Sequence, residues 1–180
     1  MNYIGLLRAV NLAGRNTVGM ADLRDLLTEL GLQGVRSLLQ SGNVVFQSRG
    51  RTTAQLERML EEAAAKRLGL KTDFFVRTPA ELAAVVAGNP FRREAAEDPG
   101  HLLVVFLKRA PSSEKAAGLQ RTIRGREVAR VEGRHAFIVY PDGVGRSRLT
   151  GAVIEKALAT RGTGRNWNTV LKLQALAGSS

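Results

Sequence analysis

The sequence predicts an α+β protein made of two related ferredoxin-like (split βαβ) subdomains with an extra C-terminal helix. Three observations carry that expectation. Over residues 1–77, short apolar runs and stretches of helical periodicity follow one another as strand, helix, strand, strand, helix, strand. From residue 101 nearly the same order begins again. A glycine stands at the turn of each expected hairpin, Gly42 in the first half and Gly133 in the second.

Each element has its own signal. YIGLLRAV (3–10) is a short apolar run that ends in a loop rich in Gly and Asn, and reads as a buried strand. ADLRDLLTEL (21–30) sets Leu23, Leu26, Leu27 and Leu30 on one helical face, and Gly31 supplies the stop. VRSLLQSGNVVFQS (35–48) is a hairpin about Ser41-Gly42-Asn43. TTAQLERMLEEAAAKRLGL (52–70) opens on a threonine cap and carries Leu56, Met59, Leu60, Ala63 and Leu68 at helical spacing. DFFVR (73–77) is the closing strand, and PAELAAVVAG (79–88) is a short helix that ends a first subdomain of residues 1–88.

The polar stretch 89–100, NPFRREAAEDPG, reads as a linker or surface loop. The second subdomain, 101–180, begins with the strand HLLVVFLK (101–108) and a short helix over 111–122 with Pro111 at its start. REVARVEGRHAFIVYPDG (126–143) is a hairpin turning at Glu132-Gly133, and helices follow over 149–162 and 167–178. The order is therefore β-α-β-β-α-α, with a helix where the first half closes on a strand.

Composition removes several kinds of chemistry. The 180 residues are 44% apolar, so a sizeable core is expected and disorder throughout is excluded. There is no cysteine, hence no disulfide, no thiolate nucleophile and no cysteine-held metal. With His101 and His135 the only histidines, and no carboxylates gathered around them in sequence, neither a metal site nor a cofactor is expected. The start, MNYIGLLRAVNL, lacks the basic segment and cleavage pattern of a signal peptide. No apolar run approaches the roughly 18 residues of a membrane span, so the expected location is cytoplasmic.

The net charge of +11 is unevenly placed. Residues 101–180 hold 14 basic and 5 acidic side chains, a net +9, whereas residues 51–100 are balanced at 8 and 8. Such a half attracts polyanions by neutralising phosphates and releasing counterions. Nucleic acid or a phosphate-containing small molecule is the partner class this charge indicates. Arginines outnumber lysines 21 to 6, a bias that GC-rich coding also produces, although it does not explain the excess of base over acid.

Three ordered stretches, LLRAVNLAGRNTVGMADLR (6–24), LLQSGNVVF (38–46), and GRSRLT with RNWNTVLKL (145–150 and 165–173), resemble an uncharacterised bacterial domain-of-unknown-function family. The resemblance spans the whole chain. Ala9 stands where the family usually has Gly, and Gly19 where it often has Pro. The resemblance implies an α+β fold with ferredoxin-like subdomains and implies no activity.

The motifs are rich in donors and poor in acids. Arg8, Asn11, Arg15 and Asn16 lie among glycines between a strand and a helix, the ingredients of an anion site and equally of an ordinary polar connection. QSGN has the residues of a plain hairpin turn. Arg146 and Arg148 flank Ser147 ahead of a helix start, where their charge opposes the helix dipole by about 0.3–1 kcal/mol unless an anion sits there. Within RNWNTV, Asn166 is the expected cap of the last helix and Trp167 the staple that holds its start. Capping does not account for Arg165, Asn168 and Thr169 in the same turn. Arg165, Asn166 and Asn168 therefore join Arg8, Asn11, Arg15 and Asn16 as candidate ligand-binding residues, with Arg146, Ser147, Arg148 and Trp167 as additional candidates. A polar network that only ties down the last helix is the competing account.

Catalysis has no visible machinery. Ser41, Ser147, Thr150 and Thr169 are hydroxyls with no histidine near them in sequence, so any triad depends on His101 or His135. An aromatic nucleic-acid platform is not supported, because Phe137 and Tyr140 point to opposite faces of a strand. Arg124, Arg126 and Arg130 are expected on one face of the strand before it. The leading expectation is a binding module for a phosphate-containing anion. The alternatives are an enzyme acting on an anionic metabolite, or a structural protein without a ligand.

Overall fold

A computed structural model describes residues 1–8, 19–38 and 42–179. The chain forms two compact units, Met1–Ala83 with Lys172–Ser180, and Ala84–Leu171. The first contains β1 (Asn2–Leu7), α1 (Met20–Glu29), β2 (Gln33–Leu38), β3 (Asn43–Gln47), α2 (Thr53–Leu68) and β4 (Phe74–Arg77). After α3 (Pro79–Ala87) and α4 (Arg92–Glu97) come β5 (Leu102–Leu107), α5 (Ser113–Thr122), β6 (Val128–Glu132), β7 (His135–Val139), α6 (Gly151–Leu158), β8 (Gly162–Asn166) and α7 (Trp167–Gly178). Each unit has one four-stranded antiparallel sheet, ordered β2-β3-β1-β4 and β6-β7-β5-β8. The α+β architecture with a repeated unit and a C-terminal helix is as the sequence predicts.

One element departs from the expectation. The second unit does close on a strand: β8 pairs antiparallel with β5, so a full β-α-β-β-α-β order is repeated before α7 begins. The helix expected over 149–162 ends at Leu158, where Ala159 adopts a left-handed φ of 53°. β8 escapes a sequence reading because Gly162 and Gly164 occupy its core-side positions and leave no apolar alternation. They are there for space. A Cβ at Gly162 would lie 2.8 Å from Val105 Cγ1, and one at Gly164 2.9 Å from Leu103 Cδ2. The polar stretch 89–100 carries α4 and the start of a short 3-10 turn, Pro99–His101.

Local signals explain most of the rest. Thr52 caps α2 in a reciprocal box, its Oγ1 accepting from Gln55 N at 3.2 Å while Gln55 Oε1 accepts from Thr52 N at 2.9 Å. Leu56, Leu60 and Ala64 of α2, with Leu23, Leu26 and Leu27 of α1, pack on Tyr3, Val44, Phe46, Phe74 and Val76. In the second unit Leu119, Ile154 and Leu158 pack on Val105, Leu107, Ala136, Ile138 and Tyr140. Each buried Leu, Ile, Val or Phe among these contributes about 1.5–3 kcal/mol relative to exposure. The other face of each sheet is buried as well, through Ile4, Leu6, Val45 and Phe75 in one and Val104, Phe106 and Phe137 in the other.

Helix carboxylates cover part of the outer sheet edges. Glu57 and Glu61, one turn apart on α2, accept from Val76 N and Phe74 N of β4, both at 2.9 Å. Glu155 on α6 accepts from Gly162 N of β8 at 3.1 Å. On β4 and β8, one edge of each sheet, backbone donors are thus satisfied that would otherwise invite pairing with another chain.

Candidate anion-binding site

In the second unit, the loop after β7 is tied down by two polar side chains. Tyr140 donates its hydroxyl to Leu149 O at 2.9 Å, and burial, with the Glu127 carboxylate adding, pushes its pKa up to about 12. It is therefore a neutral donor at physiological pH. Ser147 donates to Glu127 Oε1 at 2.5 Å and accepts from Leu149 N at 2.9 Å. Thr150 then caps α6 by accepting from Val153 N at 3.3 Å.

The fastening leaves a concavity of about 390 Å³ lined by Arg124, Arg126, Glu127, Asp142, Arg146 and Arg148. Arg126 forks onto Asp142 through Nε, 3.2 Å from Oδ2, and through Nη2 to Oδ1. That hydrogen bond, with the charges of Arg126, Arg146 and His101, holds the Asp142 carboxyl below its usual range. Among the described residues, Arg124, Arg146 and Arg148 have no carboxylate within ion-pair distance. Four guanidinium groups against two carboxylates make this a positively charged hollow, close to the start of α6.

Arg124 and Arg126 do not share a strand face with Arg130. β6 begins at Val128, and Gly125 between the two arginines lies in the loop before it. The dipeptide step through glycine was the available signal, since Gly favours loops. A Cβ on Gly125 would lie 2.5 Å from Glu127 Oε2, so a larger residue there would displace the carboxylate that Ser147 meets.

The other sequence candidates have definite places. Asn166 caps α7, its Oδ1 accepting from Thr169 N at 3.0 Å. Arg165, only 6% exposed, donates through Nη1 to Thr163 Oγ1 at 2.8 Å and Gly164 O at 2.9 Å. Burial lowers its pKa to about 10, so it remains charged at neutral pH. Trp167 is buried at the first position of α7, whereas Asn168 beside it is exposed. Arg8 belongs to the first unit, where its Nη1 lies 3.6 Å from Asp73 Oδ2 and its N donates to Asp73 O at 2.9 Å. Asn11, Arg15, Asn16 and Ser41 lie outside the described residues.

The structure gives the remaining polar candidates ordinary partners. His101 Nδ1 is 2.8 Å from Asp98 Oδ2, and the His135 ring meets Phe106 edge-on at 5.4 Å. Among the described residues no three His, Cys, Asp or Glu side chains converge as metal ligands would, and no helix is long and apolar enough to cross a membrane.

These features define a class: an α+β protein with two ferredoxin-like sheets and an arginine-lined hollow on the second. Its lineage follows from the sequence. Residues 1–137 match the profile of the family described as "Protein of unknown function (DUF1697)", and the chain belongs to that family. The stretches at 6–24 and 38–46 fall inside the match, and RNWNTV lies beyond it. The conserved bacterial protein SP0830 from Streptococcus pneumoniae has the same fold, with a TM-score of 0.76, 24% identity and 98% of each chain covered. No curated protein matches the chain.

Proposed function

We infer that this is a cytoplasmic binding module for a phosphate-containing anion, a nucleotide or a nucleic-acid backbone, held at the arginine-lined hollow of the second unit. The supporting observation is the grouping of Arg124, Arg126, Arg146 and Arg148 about one concavity, three of them without a carboxylate partner among the described residues. Guanidinium forks match phosphate oxygens two at a time. The volume lies within the range of small-ligand sites, and the +9 of residues 101–180 draws polyanions toward it. Arg8, Asn11, Arg15 and Asn16 of the first unit are phosphate donors on the sequence pattern alone. At the start of α7, Arg165 and Asn166 already serve the fold, which leaves the exposed Asn168 as the donor nearest to solvent.

The test is a titration of labelled single- and double-stranded oligonucleotides, and of ATP, into the protein at about 50 and 200 mM salt. Binding that weakens steeply with salt is expected, with the slope of log K against log salt shrinking by about 0.9 for each phosphate-contacting arginine removed from a duplex complex. Arg146→Ala with Arg148→Ala lowers affinity about tenfold or more, and Asp142→Asn raises it. Absence of binding to all three probes at low salt, or equal binding by the double variant, overturns the reading.

A further inference from the structure

We propose that the first unit carries a separate site for a small phosphorylated polyol, of the sugar-phosphate class, at one end of its sheet. There Asn2, Gln33, Gln47, Ser48, Arg49 and Arg51 surround a cavity of about 520 Å³. Strand register builds the site. Asn2 of β1 stands opposite Gln47 of β3, and Gln47 stands opposite Gln33 of β2, so three amides form a row across three strands on one face. The chain then turns through Ser48, Arg49, Gly50 and Arg51, with Gly50 at a φ of 67°.

The turn is held on both sides. Tyr3 donates its hydroxyl to Arg51 O at 2.9 Å, and Ser48 N donates to Met1 O at 3.1 Å. Ser48, 6% exposed, accepts from Arg51 Nη1 at 3.4 Å. No carboxylate lines the cavity among the described residues, so the two guanidinium groups face it uncompensated.

The choice of ligand follows from the pairing rules of the lining. An amide both donates and accepts, as a hydroxyl does, whereas guanidinium only donates and favours an anion. Asn2 commits its Nδ2 to Ala177 O at 2.8 Å and keeps Oδ1 as an acceptor. The side-chain amides of Gln33 and Gln47 make no hydrogen bond to a described residue. No aromatic ring lines the cavity among the described residues, which removes the stacking surface a nucleobase uses. Amides for hydroxyls and arginines for one phosphate remain.

The experiment uses the full chain and three probes: ribose 5-phosphate, inorganic phosphate and ribose. Calorimetry gives the affinities, and amide NMR shifts locate the binding. Ribose 5-phosphate is expected to bind at least about tenfold tighter than either fragment and to shift the side-chain amides of Gln33 and Gln47. Arg49→Ala with Arg51→Ala lowers that affinity about tenfold or more, and Gln33→Ala with Gln47→Ala brings it down to that of phosphate. Arg146→Ala with Arg148→Ala leaves it unchanged, which separates this site from the hollow on the second unit. Equal affinity for ribose 5-phosphate and phosphate, shifts confined to residues elsewhere, or wild-type affinity in the Arg49/Arg51 variant overturns the proposal. The substituted side chains lie at the surface or half-buried, and unchanged melting temperatures verify that the variants remain folded.

Discussion

The outer strands β4 and β8 place an arginine at the same point of two differently built sheets. Arg77 pairs with Ile4 and Arg165 with Val104, the third residue of β1 and of β5. Both arginines are buried, and each is followed at once by the residue that caps a helix. Thr78 accepts from Glu81 N at 3.1 Å ahead of α3, and Asn166 accepts from Thr169 N at 3.0 Å ahead of α7. The rest of the two strands has little in common. Phe74-Phe75-Val76 stands against Gly162-Thr163-Gly164.

The glycines resolve the contrast. In the first unit Gly5 of β1 faces Val76 of β4, and in the second Val105 of β5 faces Gly164 of β8. Small and large have exchanged strands while the pair keeps one of each. A Cβ on Gly5 would stand 3.0 Å from Val44 Cγ2 of β3, almost as tight as at the glycines of β8. At this one position the repeat sets a small residue against a large one and leaves open which strand supplies it; two residues further along β1 and β5, Leu7 faces Phe74 where Leu107 faces Gly162. Close packing fixes each glycine where it stands, since an interior accepts neither a void nor an extra methyl without cost.

The largest break in this likeness is expected at the arginines. Arg77 is fully buried with its Nη1 3.7 Å from Glu57 Oε1. Arg77→Met leaves the Glu57 carboxylate buried beside an apolar side chain, and should cost about 3–5 kcal/mol in urea unfolding. Arg165→Met should cost less, because burial already disfavours the charged form of Arg165. A smaller effect, about 1–3 kcal/mol, is expected for Gly162→Val, which drives a side chain into Val105 and Leu107. Gly162→Ala combined with Val105→Ala should cost less than the sum of the two, a coupling that a double-mutant cycle reads directly.

The smallest effect sharpens the comparison at the caps. Asn166→Ala and Thr78→Ala should each lower stability by about 1 kcal/mol in thermal melts followed by circular dichroism. Equal losses make the two caps equivalent members of the repeat. Loss of anion binding with an unchanged melting temperature would instead assign Asn166 to a ligand.

Much of the fold was legible from short-range pattern. The Thr52 box, the leucine faces of α1 and α2, the turn at Gly133 and the Asn166 cap each lie within a few residues of what they act on. β8 was not legible. Its glycines carry no strand signal of their own and make sense only against Val105 and Leu103 on the neighbouring strand. The hollow on the second unit was half legible. Arg146, Ser147 and Arg148 stood out ahead of a helix start, while Arg124 and Arg126 passed as strand residues.

The sequence by itself determined the α+β class, the repeated order of elements short of β8, the excess of positive charge in the second half and the local caps, because periodicity, turn chemistry and composition act along the chain. Tertiary structure alone decided which cations share a hollow. Ser147 reaches Glu127 across 20 residues and Arg126 reaches Asp142 across 16. Those contacts exist only once β6 and β7 pair and Tyr140 fastens the loop that follows. No local pattern specifies a partner at that distance, since the sheet register brings such residues together.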